Sequence, residues 1–419
     1  MFENHFPDYP GGKAIMSIQD LDVAGKRVFL RVDFNVPIKG TKIQDDTRIQ
    51  AALPTIEFLR QKGARIICAS HLGRPKGQPA EGDRTHSLEP VAERLGELLN
   101  QNGAHPTSVI FSDNCVGDAV ARQSRDLKPH EILVLENLRY HEGEEKNSSE
   151  FCHKLKDLCD IYVNDAFGTC HRAHASTAGL AQIVKEKAAG FLLEKEIAVL
   201  GKLIHNPERP LVSILGGSKV SDKIKVIDAL MVKSEKILIG GAMAYTFLRA
   251  LKITTGTSRV ETEQITHCQK ILERSKEARC EIVLPMDHIC GKTFDHPGAP
   301  FTTENTHVPN DMMGLDIGPR TIQLFKNKLK GAKTVFWNGP LGVFEKEGFS
   351  EGTFALARSI AELPAKHKIC GGGDSVSAIH AAKCESGFTH ISTGGGASLE
   401  MVEGVPMPGI EALKKFKSS

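Results

Sequence analysis

Short runs of β-favouring residues recur along this 419-residue chain, with helix-length segments between several of them. In the first half they are Val28–Val32, Ile66–Ala69, Val109–Phe111, Ile132–Leu135 and Ile161–Val163. Each is continuously apolar or nearly so, as expected of strands covered on both faces. The pattern Leu88, Val91, Leu95 and Leu98 after a cap at Ser87 predicts one of the intervening helices. Strands alternating with helices imply βαβ units and a parallel sheet.

The rhythm breaks once and restarts. Leu193, Ile197, Leu200 and Ile204 mark one face of a helix that stops before Asn206-Pro207-Glu208-Arg209-Pro210. A second series follows at Leu211–Leu215, Ile237–Ile239, Ile282–Leu284, Val335–Trp337, Lys368–Cys370 and His390–Ser392. The chain is longer than one hydrophobic core usually supports. The expected organisation is therefore α/β, with a first domain over 1–191, a connecting helix over 192–206 and a second domain over 207–404. The segment Thr293–Asn310 reads as a long Pro-containing loop.

Composition narrows the function. A net charge of +2 gives no bulk attraction to nucleic acid or membrane, so any positive field must be local. Ten scattered cysteines without a CxxC pair point to reduced thiols and a cytosolic location. No run approaches the ~18 apolar residues of a membrane span. The start, Met1 to Gly12, lacks the apolar core of a secretory signal, and the basic end, Lys414 to Ser419, is not a peroxisomal address.

In open parallel sheets, ligands bind beyond the carboxyl ends of the strands. The unusual residues of the first half occupy those positions: Asp33 and Asn35, His71 and Arg74, Arg139, then His171 and Arg172, with Arg48 in a polar loop at Asp45-Asp46-Thr47-Arg48. So many cations on one edge would repel each other without an anionic guest. Guanidinium groups bind phosphate and carboxylate through paired hydrogen bonds, so a ligand carrying both is the natural candidate.

The second half uses glycine instead. Gly216-Gly217-Ser218-Lys219 closes a strand and opens a helix, where backbone N–H groups can face a phosphate. Lys219 and Lys223, four apart, share a face if that helix has begun. Gly371-Gly372-Gly373-Asp374-Ser375 repeats the device with a carboxylate at the turn, which suits magnesium. Asn338-Gly339-Pro340 with Gly342 makes a rigid turn, and Glu345 lies just beyond it.

Cys170, His171 and His174 match no zinc spacing, Trp337 reads as core, and no catalytic triad spacing is present. A nicotinamide oxidoreductase would need a GxGxxG fingerprint, which is missing together with the Walker A pattern. An RNA-binding protein would need a stronger charge and interleaved aromatics.

Six motifs, in order, resemble the phosphoglycerate kinase family: Arg31-Val32-Asp33-Phe34-Asn35-Val36-Pro37, Ser70-His71-Leu72-Gly73-Arg74-Pro75, Val163-Asn164-Asp165-Ala166-Phe167-Gly168, Gly216-Gly217-Ser218-Lys219-Val220, Trp337-Asn338-Gly339-Pro340 and Gly371-Gly372-Gly373-Asp374. The resemblance runs from about Leu21 to Ile410. It implies a bilobal kinase of two Rossmann-like domains that close about a hinge, with the segment 405–419 returning to the first domain. It implies reversible transfer of a phosphoryl group between 1,3-bisphosphoglycerate and ADP, with Mg2+, in a cytoplasmic monomer that binds neither nucleic acid nor membrane.

The implied acid site is Asp33, Asn35, Arg48, His71, Arg74, Arg139 and Arg172. The implied nucleotide site is Gly217, Lys219, Lys223, Gly241, Gly314, Asn338, Glu345, Gly372, Gly373, Asp374 and Ser375, with Asp374 on the metal. Arg48, Lys219, Gly372 and Gly373 are the implied catalytic set. Ser375 stands where the family usually has Thr, and Ala242 replaces a glycine. The first fifteen or so residues, with Phe6, Pro7 and Tyr9, and the tail after Ile410 differ from the family's usual ends.

Overall fold

A computed structural model describes residues 6, 9, 14–80, 82–101 and 107–415. Pro7 and the last four residues of the basic tail, both noted in the sequence, lie outside the described residues. The chain divides into two compact units, Met1–Gly201 with Pro406–Ser419, and Lys202–Val405. The division falls inside the helix Phe191–His205.

The first unit is built on six parallel strands: β1 (Arg27–Arg31), β2 (Arg65–Ala69), β3 (Val109–Ser112), β4 (Ile132–Leu135), β5 (Ile161–Asn164) and β6 (Glu186–Ala189), in the order β3-β4-β2-β1-β5-β6. One face, with Val28, Leu30, Ile66, Cys68, Val134, Ile161 and Val163, packs with Ile49, Ile56 and Leu59 of the helix Thr47–Gln61 and with Val91 and Leu95 of the helix Glu89–Asn100. The opposite face, with Phe29, Ile67, Leu133 and Tyr162, is equally buried, which is why these strands read as unbroken apolar runs. The carboxyl-terminal segment rejoins this unit through Gly409 N–H to the Cys170 carbonyl at 2.9 Å and Lys415 N–H to that of Ala14 at 2.8 Å.

The main sheet of the second unit contains β7 (Leu211–Leu215), β8 (Lys236–Ile239), β9 (Glu281–Val283), β10 (Thr334–Asn338), β11 (His367–Gly371) and β12 (His390–Ile391), ordered β9-β8-β7-β10-β11-β12 and all parallel. The order in which strands are added reverses between β7 and β10, which opens a crevice above their carboxyl ends. Trp337 is fully buried in the core, among residues that include Phe325, Leu356, Ile360 and Ile379.

Four details differ from the sequence reading. Strand β6 was not predicted, because Glu186-Lys187-Ala188-Ala189 has no β-branched residue; it pairs with β5. The segment expected to be a loop contains a strand, Phe301–Thr302, in an antiparallel sheet with His288–Gly291 and Met313–Ile317. Arg48 is not in a loop but in the first turn of the helix Thr47–Gln61. The helix expected directly after Lys219 begins only at Ile224, so Lys219 and Lys223 are not at helical spacing.

Candidate functional site

In the first unit the loops after β1, β2 and β4 are tied into one network. The Asp33 carboxylate accepts from the Arg48 guanidinium at 2.5 Å, and Asn35 Oδ1 accepts from Gly73 N–H at 2.9 Å. Arg139, on the 3-10 turn Leu138–Tyr140, donates to the Gly73 carbonyl at 2.7 Å. Gly73 has a φ of +61°, and a Cβ there would lie 2.3 Å from the His86 ring, so a glycine is needed at this junction. Arg172 donates to His171 Nε2 at 3.1 Å.

The structure thus joins Asp33, Asn35, Arg48 and Arg139 through the three loops. Arg74, three residues past the buried His71, is exposed.

The field at this edge is strongly positive. Burial, then Arg31, Arg139, Arg48 and His174, hold His71 well below the usual imidazole range. His174 is pushed down to about 4 by burial first and then by Arg139, Arg31, Arg172 and His171. Arg139 itself is lowered, mainly by burial; Glu145 opposes this from 3.4 Å, and its Nε has no hydrogen-bond partner. Both histidines are neutral at pH 7, so each can donate from only one ring nitrogen. The arrangement suits an anion with several oxygens.

Sequence reasoning missed Arg31 as part of this edge. It ends β1, is 1% exposed, and donates from NH2 to His71 Nδ1 at 3.3 Å. The available signal was a single arginine inside an otherwise apolar run, Val28-Phe29-Leu30-Arg31-Val32.

In the second unit the loops after β7 and β10 interlock at the crevice. Gly216 N–H donates to the Asn338 carbonyl at 2.9 Å, and Gly217 N–H to that of Pro340 at 3.0 Å. These two N–H groups are therefore not available to a phosphate, contrary to the sequence expectation. Beyond them, Glu261 accepts from Val220 N–H at 2.6 Å and from Ser221 N–H at 3.1 Å. The glycines serve close approach instead. Lys219 is exposed on this loop.

The stretch Gly371–Ser375 does open a helix directly, Gly373–Ala381, with Gly372 as N-cap at a φ of +96° and no side chain capping it. Asn338 Nδ2 donates to the Gly371 carbonyl at 2.6 Å, and Lys223 donates to Asn338 Oδ1. Ser375 Oγ accepts from Gly339 N–H at 2.5 Å. Asp374, on the first turn, is exposed. The uncapped first turn carries the partial positive charge of a helix start.

Beside it lies a cavity of about 410 Å3 whose lining includes Gly217, Gly241, Ala242, Gly314, Leu341 and Val343 together with Glu345 and Asp374. Its lining is predominantly apolar and of a size for a purine base. Gly314 is pressed against the Tyr245 phenol so closely that a Cβ would fall 1.8 Å from the hydroxyl oxygen. Asp316, buried at the same cavity, accepts from Gly352 N–H at 2.7 Å and Ile317 N–H at 2.9 Å, and burial pushes it up to about 8. A larger hollow of about 640 Å3, between Thr41–Asp46 and the helix Glu89–Asn100, includes four carboxylates in its lining and touches neither site.

Among the described residues no group of three or more His, Cys, Asp and Glu is placed to hold a metal ion, and no helix is long and apolar enough to cross a membrane. All ten cysteines are free.

The family model described as phosphoglycerate kinase matches residues 18–405. A phosphoglycerate kinase from Anaeromyxobacter sp. (strain Fw109-5) is 51% identical over 402 residues, covering 96% of this chain and all of its own length. One from Clostridium botulinum (strain 657 / Type Ba4) is 46% identical over 399 residues, with 95% and 98% covered. Among solved structures, phosphoglycerate kinase from Coxiella burnetii superposes with a TM-score of 0.85 at 37% identity, and that from Pyrococcus horikoshii OT3 with 0.81 at 33%. Each covers 95% of this chain and 98% of its own.

Proposed function

The chain belongs to the phosphoglycerate kinase family, and from that membership we propose how its two units share the reaction. The protein is a phosphotransferase: it catalyses reversible transfer of the acyl phosphate of 1,3-bisphosphoglycerate to ADP, giving 3-phosphoglycerate and ATP. In the proposed division, the acid is held by Asp33, Asn35, Arg48, His71, Arg74, Arg139 and Arg172 of the first unit. The nucleotide is held by Gly217, Lys219, Lys223, Gly241, Gly314, Asn338, Glu345 and Gly372 to Ser375 of the second.

One observation carries the acid assignment. His71 and His174 are held neutral by burial first and then by the arginines around them, so two uncharged rings stand among Arg31, Arg48, Arg139 and Arg172. A carboxylate and a phosphate on one small molecule match such a cluster of guanidinium and neutral imidazole donors.

Both acceptor oxygens, a carboxylate in one direction and a diphosphate in the other, are ionised at neutral pH. No general base is required; the work is alignment and neutralisation of charge. Arg48 and Lys219 act on the migrating phosphoryl group, with the open N–H groups at Gly372 and Gly373. The two ligands must meet end to end for this, so closure about a hinge near 192–206 is part of the proposal, with 1–191 and 405–419 as the acid domain and 207–404 as the nucleotide domain.

Magnesium is part of the proposal through Asp374. This carboxylate sits on the open helix turn without a cap bond, beside the seat proposed for the phosphates. One protein oxygen fits an ion that takes its remaining ligands from phosphate and water. When bound, Mg2+ neutralises and aligns phosphate oxygens. The reading includes a cytoplasmic, monomeric enzyme, to which the free cysteines are suited.

The test is to trap acyl phosphate as hydroxamate from Mg-ATP and a panel of small carboxylic acids. Product with 3-phosphoglycerate and little with lactate or glycerate supports the reading. Equal yield across the panel, or none, overturns it.

A further inference from the structure

The cationic edge of the first unit is held from behind by a buried chain of hydrogen bonds whose donor directions are fixed by chemistry. Arg31 has only donors, so His71 Nδ1 must accept its N–H at 3.3 Å. Arg31 Nε also donates, to Ser176 Oγ at 2.7 Å. The Ser176 hydroxyl proton is then free to go only the other way, to Glu144 Oε1 at 2.6 Å, while Ser176 N–H donates to Glu144 Oε2 at 2.9 Å. The remaining Arg31 nitrogen donates to the Val32 carbonyl. Arg31 is 1% exposed, and Ser176 and Glu144 are fully buried.

The polarity of the chain is therefore single-valued: carboxylate, hydroxyl, guanidinium, imidazole. With Nδ1 accepting, the neutral ring carries its proton on Nε2. Among the described residues Nε2 has no hydrogen-bond partner, so its N–H is left for a ligand. A protonated ring is opposed by burial and by the same geometry, since a second N–H would face the Arg31 N–H, with Arg139, Arg48 and His174 adding to the repulsion.

Glu144 is the anchor. It belongs to the short helix Glu142–Glu145; burial raises its carboxyl above the usual range, while Arg31, the two bonds from Ser176 and Arg139 favour the carboxylate that meets the buried Arg31 charge through Ser176. An arginine held inside a domain without such a partner would be strongly disfavoured.

We propose that Glu144 is a positioning residue: acting through Ser176 it orients Arg31, and Arg31 fixes His71 as a neutral donor that presents Nε2–H to an oxygen of the bound acid. This rests on the reading that the edge holds phosphoglycerate, and it adds how one of the ligand's hydrogen bonds is guaranteed. The donor is ready without proton uptake, so this contact persists across the neutral pH range.

The experiment uses the full chain labelled with 15N-histidine, without ligand, the His71 signal being assigned by its loss in His71→Gln. The expected result is a ring protonated on Nε2 alone between pH 5.5 and 8. In Ser176→Ala, which cuts the relay while leaving Glu144 and the Ser176 amide in place, the ring should become a tautomer mixture and titrate closer to ordinary histidine. The Michaelis constant for 3-phosphoglycerate should rise about tenfold, with that for ATP unchanged and kcat within about threefold, the size expected for one misplaced hydrogen bond to an anion. Glu144→Gln, keeping the shape without the charge, should move the same readouts in the same direction.

A wild-type ring protonated on Nδ1 would overturn the proposal. So would Ser176→Ala with an unchanged His71 signal, or with a changed signal and an unchanged Michaelis constant. The spectrum is recorded without substrate. A protein that turned over no phosphoglycerate but showed the Nε2–H ring would refute the functional reading and leave the relay standing.

Discussion

Gly216 and Pro340 approach until no side chain fits between them: a Cβ on Gly216 would lie 2.1 Å from the Pro340 carbonyl oxygen and 2.7 Å from that of Gly339. The obstacles are backbone atoms of the loop after β10, which is itself fixed by Gly217 N–H at 3.0 Å. Gly216→Ala should therefore cost about 1–3 kcal/mol of stability, the range for overpacking in a rigid site. It should also raise the Michaelis constant for ATP while leaving 3-phosphoglycerate binding intact. Thermal unfolding and calorimetric titration with each ligand check the two parts; a variant with wild-type stability would refute the claim of close approach.

Arg48 and Lys219 are proposed to neutralise the migrating group. Arg48→Ala or Lys219→Ala should lower kcat by roughly two to three orders of magnitude, the size seen when one charge-stabilising donor is removed. Steady-state rates decide it, and near-normal turnover in both variants would remove them from the catalytic role. Asp33 would lose its partner at 2.5 Å in Arg48→Ala, so Arg48→Lys is the control for local structure.

Acid stability should report on His174. Its folded-state value of about 4 lies below the ordinary 6.5, so the unfolded chain binds more protons between those limits. The favourable contribution is complete above pH 6.5 and is lost as pH falls toward 4, at up to about 1.4 kcal/mol per pH unit. His174→Asn should lose less stability than the wild type between pH 6.5 and 4.5 in urea titrations. Parallel pH profiles for the two proteins would contradict this.

Much of the fold was legible because strands buried on both faces leave unbroken apolar runs, as at Ile132–Leu135 and Leu211–Leu215. What was hidden had no such signature. Strand β6 is Glu-Lys-Ala-Ala and is held by pairing with β5. The loop motifs were legible as the charged ends of the strands, since charged residues directly after apolar runs stand out. Their local roles were less legible: the glycines at 216 and 217 serve packing, and their amides go to the neighbouring loop. Arg31, Ser176 and Glu144 are separated by 32 to 145 residues, so no spacing rule could have joined them.

Chelation tests the metal assignment. With excess EDTA, phosphoryl transfer should fall to background while 3-phosphoglycerate still binds, because the proposed metal carboxylate, Asp374, belongs to the second unit. Asp374→Asn should raise the magnesium concentration needed for half-maximal rate. Full activity in EDTA would contradict the assignment.

The account depends most on where the acid sits, and a crystal structure with bound 3-phosphoglycerate measures this directly. The expected density lies over the loops after β1, β2 and β4, with ligand oxygens within hydrogen-bond distance of Arg48, Arg139, Arg172 and His71 Nε2. Density in the cavity between Gly241 and Val343 instead, with the arginine edge holding only solvent, would contradict it.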